Sequence, residues 1–258
     1  MASRAARHAQ LQAYVLHRYD WSESSVILDL LTREQGRIAV AAKGVKRPFS
    51  QLRSVLLPFQ RLHVSLGREP QGDESREVHA LRAADWAGGH AMLTGPALFS
   101  GFYVNELLMK LLARHDPHPR LFDAYGDTVA ALGGADEAAT QTALRAFEIV
   151  LLREIGLLPD LATETATRRP VASSRRYLVV ADSGVVETDE GRDATASGAT
   201  LAALEAALAT GDLRALQRAA SAALAELRPL LRAQLHYHLG TSQLRTRQVM
   251  MAAQALDQ

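Results

Sequence analysis

Apolar and polar residues alternate through the first third of the chain, a pattern typical of half-buried β-strands. Five short segments rich in Val, Ile, Leu or Tyr show it, each bounded by residues that favour turns. We predict strands at 12–19, 25–32, 37–43, 56–66 and 76–81. Consecutive short strands of this kind favour a small closed barrel, and the pattern fits an OB-fold and an SH3-like barrel equally well.

The apolar spacing changes to three and four residues after Trp86, which is the period of an amphipathic α-helix. We predict helices at 97–113, 121–132, 136–156, 201–209, 213–227 and 230–239. Asp136 and Asp212 precede two of these segments and can cap them. Pro229 is placed to open the last helix, and Gly240 is placed to end it.

Residues 168–197 carry few large apolar side chains and interrupt the helical pattern. Two short apolar runs flank Asp182, Ser183 and Gly184, which together favour a hairpin turn. The chain is therefore predicted to be an α+β protein with a five-stranded barrel, an all-α helical domain and a small β-hairpin insert. We predict a barrel domain at 1–84, a helical domain at 85–162 and 198–258, and the insert at 163–197.

Composition limits the classes of protein to consider. The chain has 258 residues, which is enough for two domains of ordinary size, and a net charge of +1. It has no cysteine, which excludes disulfides, thiolate zinc sites and cysteine nucleophiles. No apolar run is long enough to cross a membrane, and the first residues lack the apolar centre of a signal peptide. We expect a cytoplasmic protein with no membrane partner.

Basic residues are concentrated in the first third of the chain. Residues 1–89 contain 13 basic and 9 acidic side chains, whereas residues 90–160 contain 5 and 9. No acidic residue lies between Glu34 and Glu69. The cations of this acid-free strip are Arg37, Lys43, Lys46, Arg47, Arg53, Arg61 and Arg68. Positive side chains displace counterions from phosphate groups, so we predict that the strip forms one cationic surface that binds nucleic-acid backbone.

The segment between Gly44 and Pro48 is predicted to be a loop, with Phe49 following among the charges. An exposed ring at this position can stack on an unpaired base, although packing of Phe49 under the loop is slightly favoured. Three alternatives stay open for the barrel. It could have a solvated basic surface without a partner, act as a scaffold for protein interactions, or bind RNA.

The sequence carries no recognisable catalytic motif. It has no Gly-rich phosphate loop, no Gly-x-Ser-x-Gly elbow and no His-Glu-x-x-His pair, and its carboxylates are scattered. His115 and His118 flank Asp116 and Pro117, which is more typical of a turn than of a metal site. We therefore expect a binding protein with no catalytic residue, no cofactor, no bound metal and no small-molecule substrate.

Several motifs, in the right order along the chain, resemble the RecO family of bacterial recombination mediators. One is the run Ala-Lys-Gly-Val-Lys-Arg-Pro-Phe-Ser at 42–50, where a predicted strand ends in a basic loop. The other similar segments are 14–16, 24–28, 32–36, 56–59, 156–161, 232–240 and 244–247. Together they cover most of the chain, and none of them is a catalytic motif.

The resemblance implies an N-terminal OB-fold, a central helical domain and a small zinc-ribbon-like insert. It also implies DNA repair and recombination through the RecF pathway, at the nucleoid. The implied activities are binding of single- and double-stranded DNA, annealing of complementary strands and, with RecR, loading of RecA onto DNA coated with single-strand-binding protein (SSB). The acidic, apolar-tipped tail of SSB is expected to bind the helical domain near Lys110 or Arg114.

The insert departs from the family pattern in one respect. Many members carry two Cys-x-x-Cys pairs there, and the aligned positions of this chain are Glu164, Thr167, Glu187 and Glu190. Three carboxylates and one hydroxyl are a poor tetrahedral zinc site. We therefore expect an insert without metal, held together by packing of its hairpin on the helices.

Overall fold

The computed structural model describes residues 10–67, 78–89, 92–134, 136–189, 194–241, 244–246 and 248–249. The chain divides into two compact units. The barrel unit comprises Met1–Thr94 and Leu112–Gly126, and the helical unit comprises Gly95–Leu111 and Asp127–Gln258. The chain therefore leaves the barrel unit at Gly95 and returns to it at Leu112.

Five strands form the closed barrel of the first unit. They are β1 (Gln10–Asp20), β2 (Val26–Thr32), β3 (Gly36–Ala42), β4 (Leu62–Leu66) and β5 (Val78–Trp86). Their order around the barrel is β1-β2-β3-β5-β4, in which β3 and β5 are parallel and the other pairs are antiparallel. This closed five-stranded barrel, followed by a helical unit, confirms the predicted fold class.

Alternate side chains of the strands fill the interior of the barrel. Val26, Leu28 and Leu30 of β2 are fully buried there, and Val40 of β3 lies opposite Leu28. A strand places every second residue on the same face, so its buried residues recur with a period of two. That period is why the alternation along the sequence identified these strands.

The fourth strand is shorter than the sequence pattern predicts. The segment 56–66 forms a strand only at Leu62–Leu66, and a one-turn helix, α1 (Leu52–Val55), precedes it. Pro58 has no N–H to donate to a strand ladder, and Phe59 has a φ of 66°, in the left-handed region. These two residues break the extended backbone before β4 begins.

The fifth strand is longer than predicted. The pattern indicates 76–81, of which residues 76 and 77 lie outside the described residues, whereas β5 continues to Trp86. Leu62 at the start of β4 pairs with Trp86, and Leu66 pairs with Leu81. Pairing with β4 therefore sets the end of β5.

The described helices that follow the barrel strands agree with the predicted segments, apart from their ends. They are α2 (Gly95–Leu111), α3 (Pro119–Leu132), α4 (Glu137–Glu154), α5 (Gly198–Thr210), α6 (Leu213–Ala222) and α7 (Leu224–Leu239). Asp136 caps α4 by accepting a hydrogen bond from the N–H of Ala138 at 3.0 Å. Asp212 caps α6 in the same way, by accepting a hydrogen bond from the backbone N–H of Arg214 at 2.9 Å. Within the described ranges, no helix combines the length and the apolar character that crossing a bilayer requires.

The break between the last two helices lies at Ala223, not at Pro229 as the sequence suggests. Helix α7 begins at Leu224 and continues through the proline. Its buried residues lie on both sides of Pro229 and are Leu227, Leu230, Leu231, Gln234 and Leu235. Packing of this face outweighs the single helical hydrogen bond that a proline cannot make.

The insert is a three-stranded sheet with the order β7-β6-β8. Strands β6 (Arg176–Val180) and β7 (Gly184–Glu187) form the predicted hairpin. The third strand, β8 (Thr195–Ser197), is not predicted by the sequence. It is three residues long and carries no apolar run, so its extended structure depends on pairing with β6.

The donor groups of the insert do not fit a zinc ion. The Thr167 hydroxyl donates a hydrogen bond to the Glu164 carboxylate, and Glu187 Oε1 lies 3.3 Å from Arg175 Nε. Glu190, the fourth aligned position, lies outside the described residues. Among the residues that are described, no three His, Asp or Glu side chains are grouped closely enough to hold a metal ion.

Hydrogen bonds hold the segments of the insert together. The N–H of Val185 donates to Thr165 Oγ1 at 2.9 Å, and the N–H of Thr165 donates to the Val185 carbonyl at 2.9 Å. Gly184 has a φ of +73°, and a Cβ at this position would lie 2.1 Å from Thr165 Oγ1. The buried Tyr177 hydroxyl accepts a hydrogen bond from the N–H of Ala172 at 2.8 Å.

We predict that Tyr177→Phe lowers the free energy of unfolding by about 0.5–1.5 kcal/mol, because the hydrogen bond between its hydroxyl and the N–H of Ala172 is lost. Tyr177→Ala should cost about 3–5 kcal/mol, since it also removes a buried ring. Denaturant unfolding measures both changes. EDTA should leave the unfolding transition of the unaltered chain unchanged, and a loss of stability on chelation would contradict an insert without metal.

Candidate nucleic-acid interface

A basic loop at residues 43–51 connects β3 to α1. Val45 is 1% exposed and belongs to the barrel core, whereas Lys43 and Arg47 on either side of it are exposed. Gly44 has a φ of +72°, a left-handed conformation that glycine adopts without steric cost. One buried valine therefore fixes a loop in which Lys43 and Arg47 are exposed.

Lys46 joins this loop to the turn between β1 and β2. Its ammonium lies 2.8 Å from Asp20 Oδ1 and donates a hydrogen bond to the Ser22 carbonyl at 2.9 Å. Its backbone N–H donates to the Ser24 carbonyl at 3.0 Å. The hydrogen bond from Lys46, together with its charge, lowers the pKa of Asp20. Lys46 was expected to contact phosphate, but in the structure its ammonium holds two loops together.

Three cations of the acid-free strip are exposed, namely Lys43, Arg47 and Arg53. Lys43 and Arg47 belong to the basic loop, and Arg53 lies in α1 directly after it. None of the three forms an ion pair with any residue that the structure describes. Their charges are therefore not neutralised by described neighbours, and they are the described cations of the strip best placed to contact a phosphate.

The remaining cations of the strip lie in other surroundings. Arg37 is half-buried, and that burial lowers the pKa of its guanidinium. Arg61 donates a hydrogen bond to Gln12 and lies over the ring of Phe122, 5.9 Å from its centroid. Arg68 lies outside the described residues. Arg37 and Arg61 therefore have neighbours outside the basic loop, and their contact with nucleic acid stays a prediction.

Two aromatic side chains are exposed in these loops. Phe49 is 99% exposed, so it does not pack under the loop, which was the favoured expectation. Trp21 lies in the turn that Lys46 contacts and is 54% exposed. Trp21 is not among the residues that the sequence predicts to contact nucleic acid. An aromatic residue in a turn, where it has little to pack against, is the signal that could have identified it.

The helical unit contains a cavity of about 450 Å³, whose lining has three arginines, one carboxylate (Glu137) and several apolar side chains. Its cations are Arg145 of α4 and Arg228 and Arg232 of α7. Its main apolar residues are Phe99, Leu144, Leu235 and Leu244. A lining that combines arginines with apolar side chains suits a ligand that has carboxylates beside an apolar group.

Arg145 is held in place by a buried carboxylate. Glu148 is 0% exposed, and its Oε1 lies 2.7 Å from Arg145 Nη2. The Tyr103 hydroxyl donates a second hydrogen bond to the same oxygen at 2.7 Å. Burial raises the pKa of Glu148 and raises that of Tyr103 well above its ordinary value. Since Glu148 is buried and also bonded to Tyr103, it holds the Arg145 guanidinium in a defined orientation in the lining of the cavity.

The two cations expected near an SSB-tail site do not line this cavity. Lys110 is exposed in the last turn of α2, in the helical unit. Arg114 belongs to the barrel unit, where its Nη2 lies 2.9 Å from Oδ1 of the buried Asp29. The structure therefore assigns Lys110 and Arg114 to different units.

Glu106 holds one wall of the cavity in place. Its Oε1 accepts a hydrogen bond from the N–H of Arg245 at 2.9 Å, and its Oε2 accepts from the N–H and hydroxyl of Thr246 at 2.8 and 2.7 Å. Leu244 and Thr246 line the cavity. This carboxylate on α2 therefore ties the segment near the end of the chain to the rim of the cavity.

Comparisons with known proteins cover nearly the whole chain. Residues 7–85 match the family model described as Recombination protein O N terminal, and residues 92–248 match Recombination protein O C terminal. The chain is 52% identical over 245 residues to the DNA repair protein RecO of Polaromonas naphthalenivorans, which covers 95% of this chain and 96% of that relative. It is 50% identical over 263 residues to the DNA repair protein RecO of Delftia acidovorans, with coverage of 99% and 100%.

The lowered pKa of Glu106 predicts that the segment it holds detaches in acid. Burial alone raises this pKa, but hydrogen bonds from Thr246 and Arg245 outweigh burial and leave the pKa below its ordinary value of 4.5. The carboxylate therefore stabilises the segment above pH 4.5, and this stabilisation is lost as the pH falls through the lowered pKa. Hydrogen-exchange protection of the Thr246 amide should fall over that range.

Glu106→Gln is the matched control for this pH dependence. It keeps the shape of the side chain and removes the charge, so protection of the Thr246 amide should be low at neutral pH as well. Unchanged protection in this variant would show that the carboxylate does not hold the segment.

Proposed function

The chain belongs to the RecO family, and from that premise we propose that its barrel unit binds single- and double-stranded DNA during repair. Relatives that are about 50% identical to this chain over nearly their full length are named DNA repair protein RecO. We further propose that the protein anneals complementary strands and, with RecR, helps to load RecA onto DNA coated with SSB. It acts by binding, without a catalytic residue, cofactor or small-molecule substrate, in the cytoplasm at the nucleoid.

The exposed cations of the basic loop are the observation that carries this proposal. Lys43, Arg47 and Arg53 lie close together in sequence, and none pairs with a described carboxylate. Each phosphate that such a side chain neutralises releases condensed counterions, which favours binding. Annealing follows from the same charge effect, because cations between two strands reduce the repulsion of their phosphates.

The exposed rings favour nucleic acid over the alternatives of a solvated surface or a protein scaffold. A solvated basic surface does not explain why Phe49 is 99% exposed, since exposing an apolar ring to water costs free energy unless a partner covers it. Bases provide flat apolar faces for such rings. RNA offers the same faces, and competition between RNA and DNA strands of one sequence distinguishes the two ligands.

A second proposal concerns the cavity of the helical unit. We propose that it binds the acidic, apolar-tipped tail of SSB, with Arg228 and Arg232 contacting carboxylates and the apolar lining holding the tip. Both arginines are exposed, so a peptide can reach them. Arginine pairs well with carboxylates because its planar guanidinium donates two parallel hydrogen bonds.

For the DNA surface, Lys43→Gln and Arg47→Gln should each reduce the log–log salt dependence of single-strand binding by about 0.7. Lys110→Gln is the matched control and should leave this slope unchanged, because it removes an exposed cation of the helical unit and not of the basic loop. Fluorescence anisotropy of a labelled oligonucleotide at several salt concentrations measures the slopes. The first two variants should also slow annealing of strands coated with the cognate SSB.

Two outcomes would contradict this assignment of the loop. Equal loss of slope in all three variants would mean that the phosphate contacts are not confined to the basic loop. Tight, salt-dependent binding by a chain with Lys43, Arg47 and Arg53 all changed to Glu would place the DNA surface elsewhere.

For the cavity, Arg228→Glu and Arg232→Glu should each weaken binding of the SSB tail peptide about tenfold, because each replaces a charged hydrogen bond by repulsion. Lys110→Glu is the matched control, since it changes an exposed cation of the same unit outside the cavity. Isothermal titration calorimetry measures the three affinities. Weaker binding in Lys110→Glu alone would instead place the tail at the end of α2.

A further inference from the structure

We infer that Trp21 contacts unpaired bases directly and that Lys46 positions it. The inference rests on the proposed binding of DNA by the barrel unit and adds the residue that would distinguish single strands from duplexes. It starts from the turn between β1 and β2, in which Trp21 directly follows β1, and from the basic loop that Lys46 joins to that turn.

The backbone of this turn is fixed by hydrogen bonds. The N–H groups of Trp21 and Ser22 both donate to the Ser25 carbonyl, at 3.3 and 3.2 Å. The N–H of Ser25 donates back to Ser22 Oγ at 3.1 Å. Ser25, the last residue of the turn, is 6% exposed, whereas Trp21, its first residue, is 54% exposed. The turn thus presents an indole ring on a backbone that does not need to reorganise.

Lys46 joins the basic loop to the turn that carries this ring. Its ammonium contacts Asp20 on one side of Trp21 and the Ser22 carbonyl on the other side. The same loop carries Phe49, which is 99% exposed. The ion pair therefore joins two segments that each present an exposed ring, with exposed cations in the loop next to them.

Trp86 is an exposed tryptophan whose indole N–H makes a structural hydrogen bond. It is 63% exposed, and its Nε1–H donates to Gln60 Oε1 at 3.2 Å. Trp21 Nε1–H has no acceptor among the residues that the structure describes. The exposed ring of Trp21 thus lacks the structural contact that explains Trp86.

Unpaired bases fit this arrangement better than duplex DNA does. An aromatic side chain can stack on any base whose face is open, which makes the contact tolerant of sequence. In a duplex, both faces of each base are already covered by neighbouring base pairs. Cations bind the phosphates of either form, so a ring next to them adds affinity only for the single strand.

The test uses the full chain with Trp86→Phe. The sequence has two tryptophans, so Trp21 is the single tryptophan of this variant. Oligo(dT) should quench the Trp21 emission with the same midpoint that anisotropy gives for binding, and a duplex of equal length should quench it much less. Trp21→Ala should weaken oligo(dT) binding about fivefold or more without changing the salt dependence or duplex affinity. Trp21→Phe, which keeps a ring, should restore most of the affinity.

The positioning role of Lys46 is tested separately in the Trp86→Phe chain. Lys46→Met should reduce the quenching of Trp21 at saturating oligo(dT), because the turn and the loop are no longer joined. Lys46→Arg, which can keep the ion pair with Asp20, should retain the quenching. A purely structural role of Lys46 would lower the melting temperature and leave quenching by bound oligo(dT) intact.

The outcomes separate this inference from the proposed function. If the unaltered chain binds oligo(dT) but Trp21 emission does not change, or if Trp21→Ala binds normally, the inference is wrong and DNA binding by the barrel stands. If the unaltered chain binds no DNA, both are wrong. A Trp21→Ala chain with an unchanged melting temperature shows that its weaker binding does not come from misfolding.

Discussion

The ion pair between Lys46 and Asp20 is the interaction on which the proposed DNA surface depends. Asp20 ends β1, and Lys46 lies in the loop after β3, so the pair joins two connections of the barrel that are distant in sequence. Val45 next to Lys46 is buried in the barrel core and fixes the same loop from beneath. With both contacts in place, the neighbouring cations and rings project from a defined backbone.

The cations of the acid-free strip have different roles because the closed barrel gives them different neighbours. Lys46 joins loops, and Arg61 lies over the Phe122 ring. Lys43 and Arg47, without a described ionic partner, keep charge that a phosphate can neutralise. A gap in acidic residues along the sequence is therefore a good sign of a basic region, but each side chain must be assigned from its own contacts.

In both units, a charged residue positions another charged residue or a backbone segment next to a proposed binding surface. In the helical unit, buried Glu148 fixes Arg145 at the cavity, and Glu106 holds the segment that carries Thr246. In the insert, hydrogen bonds of Thr165 and Tyr177 hold the hairpin to the segments before it.

The sequence by itself determined the features that depend on residues close together along the chain. Period-two alternation identified the barrel strands, and Asp136 and the Asp182–Gly184 turn marked a helix start and a hairpin, because backbone period and capping are local properties. Strand β8, the continuous helix through Pro229, the roles of Lys46 and Trp21 and the arginine-lined cavity were decided only by tertiary structure. Each of these depends on partners distant in sequence, and only folding brings such partners within contact distance.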